Sequence, residues 1–166
     1  MRSAWMFAAA LAAAPAAAQT PEQWIDWGSR VHGGFGVLIA VGIRIGQDAL
    51  QRLEAKPREL DVTYFDSPLA PCPCIADGLI VALSASPGQR TLRIAAEPAT
   101  SGYYGEVLIR HRRSGAQVRY CIRPEAIAAL DEIQKKRDFR YRYDAVMARP
   151  PEALFGVSPD PARCPA

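Results

Sequence analysis

The apolar run Val37-Leu38-Ile39-Ala40-Val41-Gly42-Ile43, closed by Arg44, constrains this chain more than any other stretch of its 166 residues. It covers less than half of the about 20 apolar residues that a membrane span needs. Downstream the pattern turns amphipathic, with Ile45, Ala49, Leu50 and Leu53 set against Gln47, Asp48, Gln51, Arg52 and Glu54. The spacing predicts one long helix over 35–53, buried all round at its start and lying at the surface towards its end. Gly42 and Gly46 each cost such a helix about 1 kcal/mol relative to Ala. Their expected compensation is the close approach of another backbone. Lys56-Pro57 ends the helix.

A shorter helix is expected before it, over 21–31, with Thr20 as cap, Pro21 at the first position, and Trp24, Ile25, Trp27 and Val31 at helical spacing. His32-Gly33-Gly34 is then a turn. Beyond the long helix the pattern becomes strand-like, at Leu60–Phe65, at Leu79–Leu83 (apolar enough to be central) and at Thr91–Ala95. Tyr103–His111 and Gln117–Ile122 flank Arg112-Arg113-Ser114-Gly115 as a hairpin. Pro124-Glu125 starts a helix running to about Arg137, and Phe139–Asp144 alternates aromatic and charged residues. A helical turn is expected at Glu152–Phe155. The fold class is therefore α+β: a long buried N-terminal helix packed on a mainly antiparallel sheet, with a further C-terminal helix and no βαβ alternation.

Residues 1–18 read as a secretory signal, with Arg2 as the charged start, Trp5–Ala14 as the apolar segment and Ala16-Ala17-Ala18 as the cleavage site. The expected product is periplasmic or secreted, with a core domain over 19–147 and a Pro-rich tail over 148–166. Twenty Lys and Arg stand against 17 Asp and Glu, and cleavage removes Arg2 from that excess. So near a balance argues against a nucleic-acid partner, and no further run reaches membrane length. In an oxidising compartment Cys72, Cys74, Cys121 and Cys164 are disposed to form disulfides, with three connectivities open. A Cys72–Cys74 bridge would close a tight ring around Pro73, so longer pairings are geometrically easier. Cys164 sits in the tail, where a bridge to the body would supply the anchor that segment needs.

Two clusters carry the chemistry. His32-Gly33-Gly34-Phe35-Gly36 opens the long helix, and Pro71-Cys72-Pro73-Cys74-Ile75-Ala76-Asp77-Gly78 follows. Gly33, Gly34 and Gly36 at a helix start can cradle an anion. Without Gly-x-Gly-x-x-Gly spacing after a strand, a tight turn into the core explains them better. His32 and Cys74 are ligand types suited to a transition metal such as zinc, and Asp77 suits completing the site or orienting the imidazole. The plainer alternative is a turn histidine, disulfide cysteines and a turn-capping Asp. His111 belongs to a basic hairpin loop, and no Gly-x-Ser-x-Gly elbow is present.

The segment His32-Gly33…Ala40-Val41-Gly42-Ile43-Arg44-Ile45-Gly46…Ala49-Leu50 resembles the opening motif of the formylmethanofuran dehydrogenase E-subunit family, His-Gly-His-x-Cys-Pro-Gly followed by Leu-Ala-Leu-Gly. Cys74-Ile75-Ala76-Asp77-Gly78-Leu79-Ile80-Val81 is similar to that family's Cys-x-x-Asp-Gly-Ile-Gln-Val block. The resemblance covers about residues 24–137. It implies an α+β core, often dimeric, with a pocket where the two blocks meet that gathers His and Cys side chains and is suspected of holding a metal. Carried across, His32, Cys74 and Asp77 match the first His, the Cys and the Asp. Gly34 and Gly36 stand where the second His and the first Cys would be, Val37-Leu38 replaces Pro-Gly, and the zinc finger of some members is absent. The expectation is an exported metal- or small-ligand-binding accessory protein of an oxidoreductase system, with a homodimer or an exported oxidoreductase as partner. The candidate ligand-binding residues are His32, Gly33, Gly34, Gly36, Cys72 and Asp77, and the candidate metal ligands are His32 and Cys74. The alternative is a metal-dependent enzyme whose site is rebuilt from His32, Cys74, Asp77 and Cys72.

Overall fold

Two helices that share a glycine contact organise the molecule. The computed structural model describes residues 19–165, so the expected signal segment lies outside the described residues. Helix α1 spans Pro21–His32, and α2 spans Val37–Arg52. Thr20 starts α1 through a capping box with Gln23. Gly33 ends it in the left-handed region, at φ 89°. The chain bends by 116° between the two helices. Among the described residues no single helix is long and apolar enough to cross a membrane.

Strand β1 (Leu60–Phe65) leads into α3 (Cys74–Leu83), and α3 returns the chain to β2 (Leu92–Ile94). A Cβ on Gly42 would stand 2.1 Å from the Ile75 carbonyl oxygen, and one on Gly78 would stand 2.1 Å from that of Ile39. The backbones of α2 and α3 therefore touch at Gly42 and Gly78, which is the close approach expected for Gly42. Gly46 instead faces the Ala82 side chain, where a Cβ would come within 2.5 Å. Because Gly42 meets Gly78 and Gly46 meets Ala82, the two helices run in the same sense. Their N-termini consequently lie at one end of the molecule.

The expected strand at Leu79–Leu83 is thus the second half of α3. Ile75, Leu79, Ala82 and Leu83 are all buried on that helix, and a short apolar run fits a buried helix as well as a buried strand. The long helix begins at Val37 rather than Phe35, and it packs first on α3 while sharing the core with the sheet. That sheet has the order β2-β1-β3-β4-β5, with β3 at Gly105–His111, β4 at Gln117–Ile122 and β5 at Gly156–Val157. Its pairs are antiparallel except β1 with β2. The parallel pair is joined across α3, so one βαβ unit sits at an edge of a mainly antiparallel sheet. The α+β class stands.

Leu60, Val62 and Tyr64 of β1, Val107 and Ile109 of β3, and Tyr120 and Ile122 of β4 share one core with α2 and α3. The helix expected from Pro124 to Arg137 is broken into α4 (Pro124–Ala128) and α5 (Asp131–Gln134) around Leu130, which is fully buried. Phe139–Asp144 is helical rather than extended, within α6 (Phe139–Met147). Asp138 caps it by accepting from the Tyr141 N–H, and Tyr143 and Val146 turn into the core three residues apart. A 3₁₀ turn follows at Pro151–Ala153.

The tail crosses the opposite face of the sheet. There Arg119 and Glu106 form a buried pair at 2.5 Å, Arg119 donates to the Pro161 carbonyl, and its guanidinium lies 4.7 Å from the Phe65 ring centroid. A Cys121–Cys164 disulfide closes the tail onto β4, across 43 residues of chain, and Tyr103 donates its hydroxyl to the Pro165 carbonyl. The expected bridge from tail to body is present.

Candidate functional site

Three chain ends converge where α2 and α3 begin. His32 is the last residue of α1, Cys74 the first of α3, and Gly36 the cap of α2. The glycine contact fixes α2 against α3, and the Gly33 turn swings α1 across their ends. His32 Nδ1–H donates to Asp77 Oδ2 at 2.7 Å. That bond sets the tautomer and leaves Nε2 facing Cys74 Sγ at 3.7 Å. Asp77 lies one turn into α3, so the carboxylate and the cysteine it serves ride on the same helix.

Beneath this group lies a cavity of 310 Å³, at the small end of ligand-pocket sizes. His32, Cys72 and Cys74 form its rim, Val37, Leu38 and Ile127 its apolar wall, and Tyr104, Asp131 and Gln134 add polar atoms. Gln134 also accepts from the Val37 N–H at 3.0 Å, satisfying a free donor at the start of α2. Burial, and then the charges of Asp131 and Asp66, push the Tyr104 hydroxyl above its usual range, so it stays neutral beside the cavity. A larger depression, of 520 Å³, lies by the β3–β4 hairpin among Arg52, Lys56, Glu59, His111 and Arg113. Within it Arg113 pairs with Glu59, while Arg52 pairs with Asp48 outside it. His111, expected in a basic hairpin loop, is instead the last residue of β3 and buried, and its ring accepts from the Ser114 N–H of the turn that follows.

Of the residues singled out in the sequence, His32, Asp77, Cys72 and Cys74 come together and Gly36 joins them on the cavity wall. Gly33 and Gly34 form the α1–α2 turn, with open space around each. Tyr104, Ile127, Asp131 and Gln134 were missed as site residues. Asp131 and Gln134 are three apart, as on one helix face, which was the available signal. Nothing local tied that face to residues 97 positions away.

The pairing of Cys72 with Cys74, whose Cα atoms are 5.2 Å apart, overturns the expectation of longer partners for both. The tight ring is accommodated because Pro73 precedes the first helical residue, where the chain already turns. This pairing bears on a metal. A disulfide sulfur is not a thiolate, the His32 Nδ1 atom is committed to Asp77, and among the described residues no group of three His, Cys, Asp or Glu side chains is placed to hold an ion. In this oxidised arrangement the residues do not fit a metal.

A family model described as FmdE, molybdenum formylmethanofuran dehydrogenase operon, matches residues 31–155. The match begins at the end of α1 and runs past α6, enclosing both clusters and the whole of the sheet except β5. No curated protein matches the chain.

Proposed function

The chain belongs to the FmdE family, and on that premise we propose that it is an exported accessory protein of a formylmethanofuran dehydrogenase-type oxidoreductase system that holds a small ligand beneath His32. The observation that carries the binding reading is the oriented His32–Asp77 pair on the rim of the 310 Å³ cavity. An imidazole fixed by a carboxylate presents one defined polar atom to a guest, and the Val37, Leu38 and Ile127 wall excludes water around it. The guest chemistry that fits is a mainly apolar molecule with one hydrogen-bonding head. Export is supported by the Arg2-to-Ala18 pattern.

Native mass spectrometry of the protein taken from its own periplasm tests this reading. The expected result is a chain beginning at Gln19 with a small-molecule adduct, which is missing from a Leu38→Trp variant that fills the cavity. A bare chain, or an adduct that survives Leu38→Trp, overturns the binding. A retained signal segment overturns the export. The homodimer belongs to the same proposal: Trp27 and Val31 on α1 and Phe139 and Tyr141 on α6 stay exposed and apolar. Sedimentation showing only monomer at micromolar concentration removes it.

A further inference from the structure

The two disulfides differ in what they can do for the fold. Cys121–Cys164 ties a tail to a sheet across 43 residues, whereas Cys72–Cys74 spans one proline and ties down nothing distant. Around Cys72–Cys74 the surroundings are those of an exchange site. Cys72 is half-buried between Pro71 and Pro73, which both face solvent, while Cys74 is 6% exposed. Cys74 is the first residue of a ten-residue helix, and helix N-termini and adjacent imidazoles both favour a thiolate. Nε2 of His32 stands 3.7 Å from its sulfur, with Asp77 holding the ring from the other side.

We propose that Cys72–Cys74 is a reactive disulfide that oxidises the dithiol of an exported polypeptide. A substrate thiolate attacks Cys72 Sγ, which belongs to the more exposed of the two cysteines. The Cys72–Cys74 bond breaks, its electron pair passes to Cys74 Sγ, and a substrate–Cys72 mixed disulfide forms. The departing Cys74 thiolate is received by the α3 N-terminus and by the imidazole of His32, which donates to it from Nε2 when protonated. The second substrate thiolate then attacks the substrate sulfur of the mixed disulfide. That step forms the substrate disulfide and releases Cys72 as a thiolate, which takes a proton from water. Two electrons and two protons have moved from the substrate dithiol to Cys72 and Cys74, and a second, more oxidising disulfide reverses the change. Leu69 is exposed beside the two prolines, giving the loop an apolar rim suited to a peptide chain. The proposal goes beyond ligand binding, since exchange requires no guest in the cavity.

The test mixes the oxidised mature protein with a reduced synthetic peptide carrying two cysteines, and follows both by quenched mass spectrometry. The expected result is oxidation of the peptide, reduction of Cys72 and Cys74 with Cys121–Cys164 intact, and a trapped mixed disulfide mapping to Cys72. The reaction should run at least roughly tenfold faster than with an oxidised peptide of residues 70–76, because a stabilised leaving thiolate speeds exchange. His32→Ala should lose roughly that tenfold while its circular dichroism stays that of the wild type. A peptide that stays reduced, a rate no greater than that of the 70–76 peptide, or a mixed disulfide on Cys74 overturns the proposal. Equal rates with glutathione and with the dithiol peptide overturn the polypeptide as substrate. None of these outcomes depends on an adduct in the cavity, so the two readings fail separately.

Discussion

Tyr64 is fully buried in β1, and its hydroxyl has no hydrogen-bond partner. A buried polar atom left unpaired costs roughly 1–3 kcal/mol. Tyr64→Phe should therefore be neutral or stabilising in chemical denaturation, and a loss above about 1 kcal/mol would reveal a partner. Burial pushes the hydroxyls of Tyr64 and Tyr120 far above their ordinary value near 10, and the Asp48 carboxylate adds to the effect on Tyr120. Both stay neutral in the fold where the unfolded chain would ionise. Their contribution is complete below about pH 10 and is lost as pH rises from there towards the elevated folded values. The urea midpoint should hold between about pH 8 and 9 and fall by about pH 11, with less of a fall in Tyr64→Phe. At this scale the sequence was a good guide to which side chains matter. His32, Asp77 and the Cys pair were legible because reactive types are few in the chain. The Cys72–Cys74 pairing was not, because ring size alone argued against it and the accommodating turn at Pro73 is a property of the folded loop.

The α2–α3 crossing is where backbone outweighs side chain. Gly78→Ala places a methyl 2.1 Å from the Ile39 carbonyl oxygen and 2.8 Å from Gly42 Cα, and neither atom can move without shifting a helix. The cost should reach about 3 kcal/mol or more, whereas Gly34→Ala, in open space, should leave the midpoint nearly unchanged. Comparing the two denaturation curves checks the contact. Gly42 was readable in advance as a close-approach residue, since a buried helix gains nothing else from glycine. Its partner was hidden because Leu79–Leu83 fits either element, and Asp77-Gly78 looks like a loop until a second helix covers it. The same ambiguity befell Phe139–Asp144, whose alternation is strand-like. The cap at Asp138 decides for helix, together with Arg142, which donates to the carbonyls of Phe35, Gln134 and Lys136. Those carbonyls are assembled only by the tertiary fold.

At the scale of the molecule, the sheet separates two differently built faces. One is the apolar core under α2 and α3. The other is closed by the tail, over the Arg119–Glu106 pair and the Cys121–Cys164 bond. A loop of about 43 residues closed by a disulfide stabilises a domain by about 4 kcal/mol in the chain-entropy model. Cys121→Ala with Cys164→Ala should lower stability by that order and expose the tail to proteolysis near Pro161. The Cys72–Cys74 double alanine, closing almost no loop, should cost less than about 2 kcal/mol, as thermal denaturation would show. The α+β class could be read in advance from element order, and the tail anchor from a cysteine set in a Pro-rich tail. The parallel β1–β2 edge could not, because its existence follows from α3 being a helix.

The helix ends that carry the site are held by backbone pressed on backbone at Gly42 and Gly78, not by the reactive side chains themselves. Frame and chemistry are therefore separable in descent. Gly34 has free space around it, and a side chain at Gly36 would meet only the end of Gln134 that accepts from the Val37 N–H, so side chains can change at these positions at the cost of at most that one bond, without the helices being re-aimed. A lineage built this way can exchange one chemistry for another by single substitutions at the rim. The two buried glycines are the positions it has to keep.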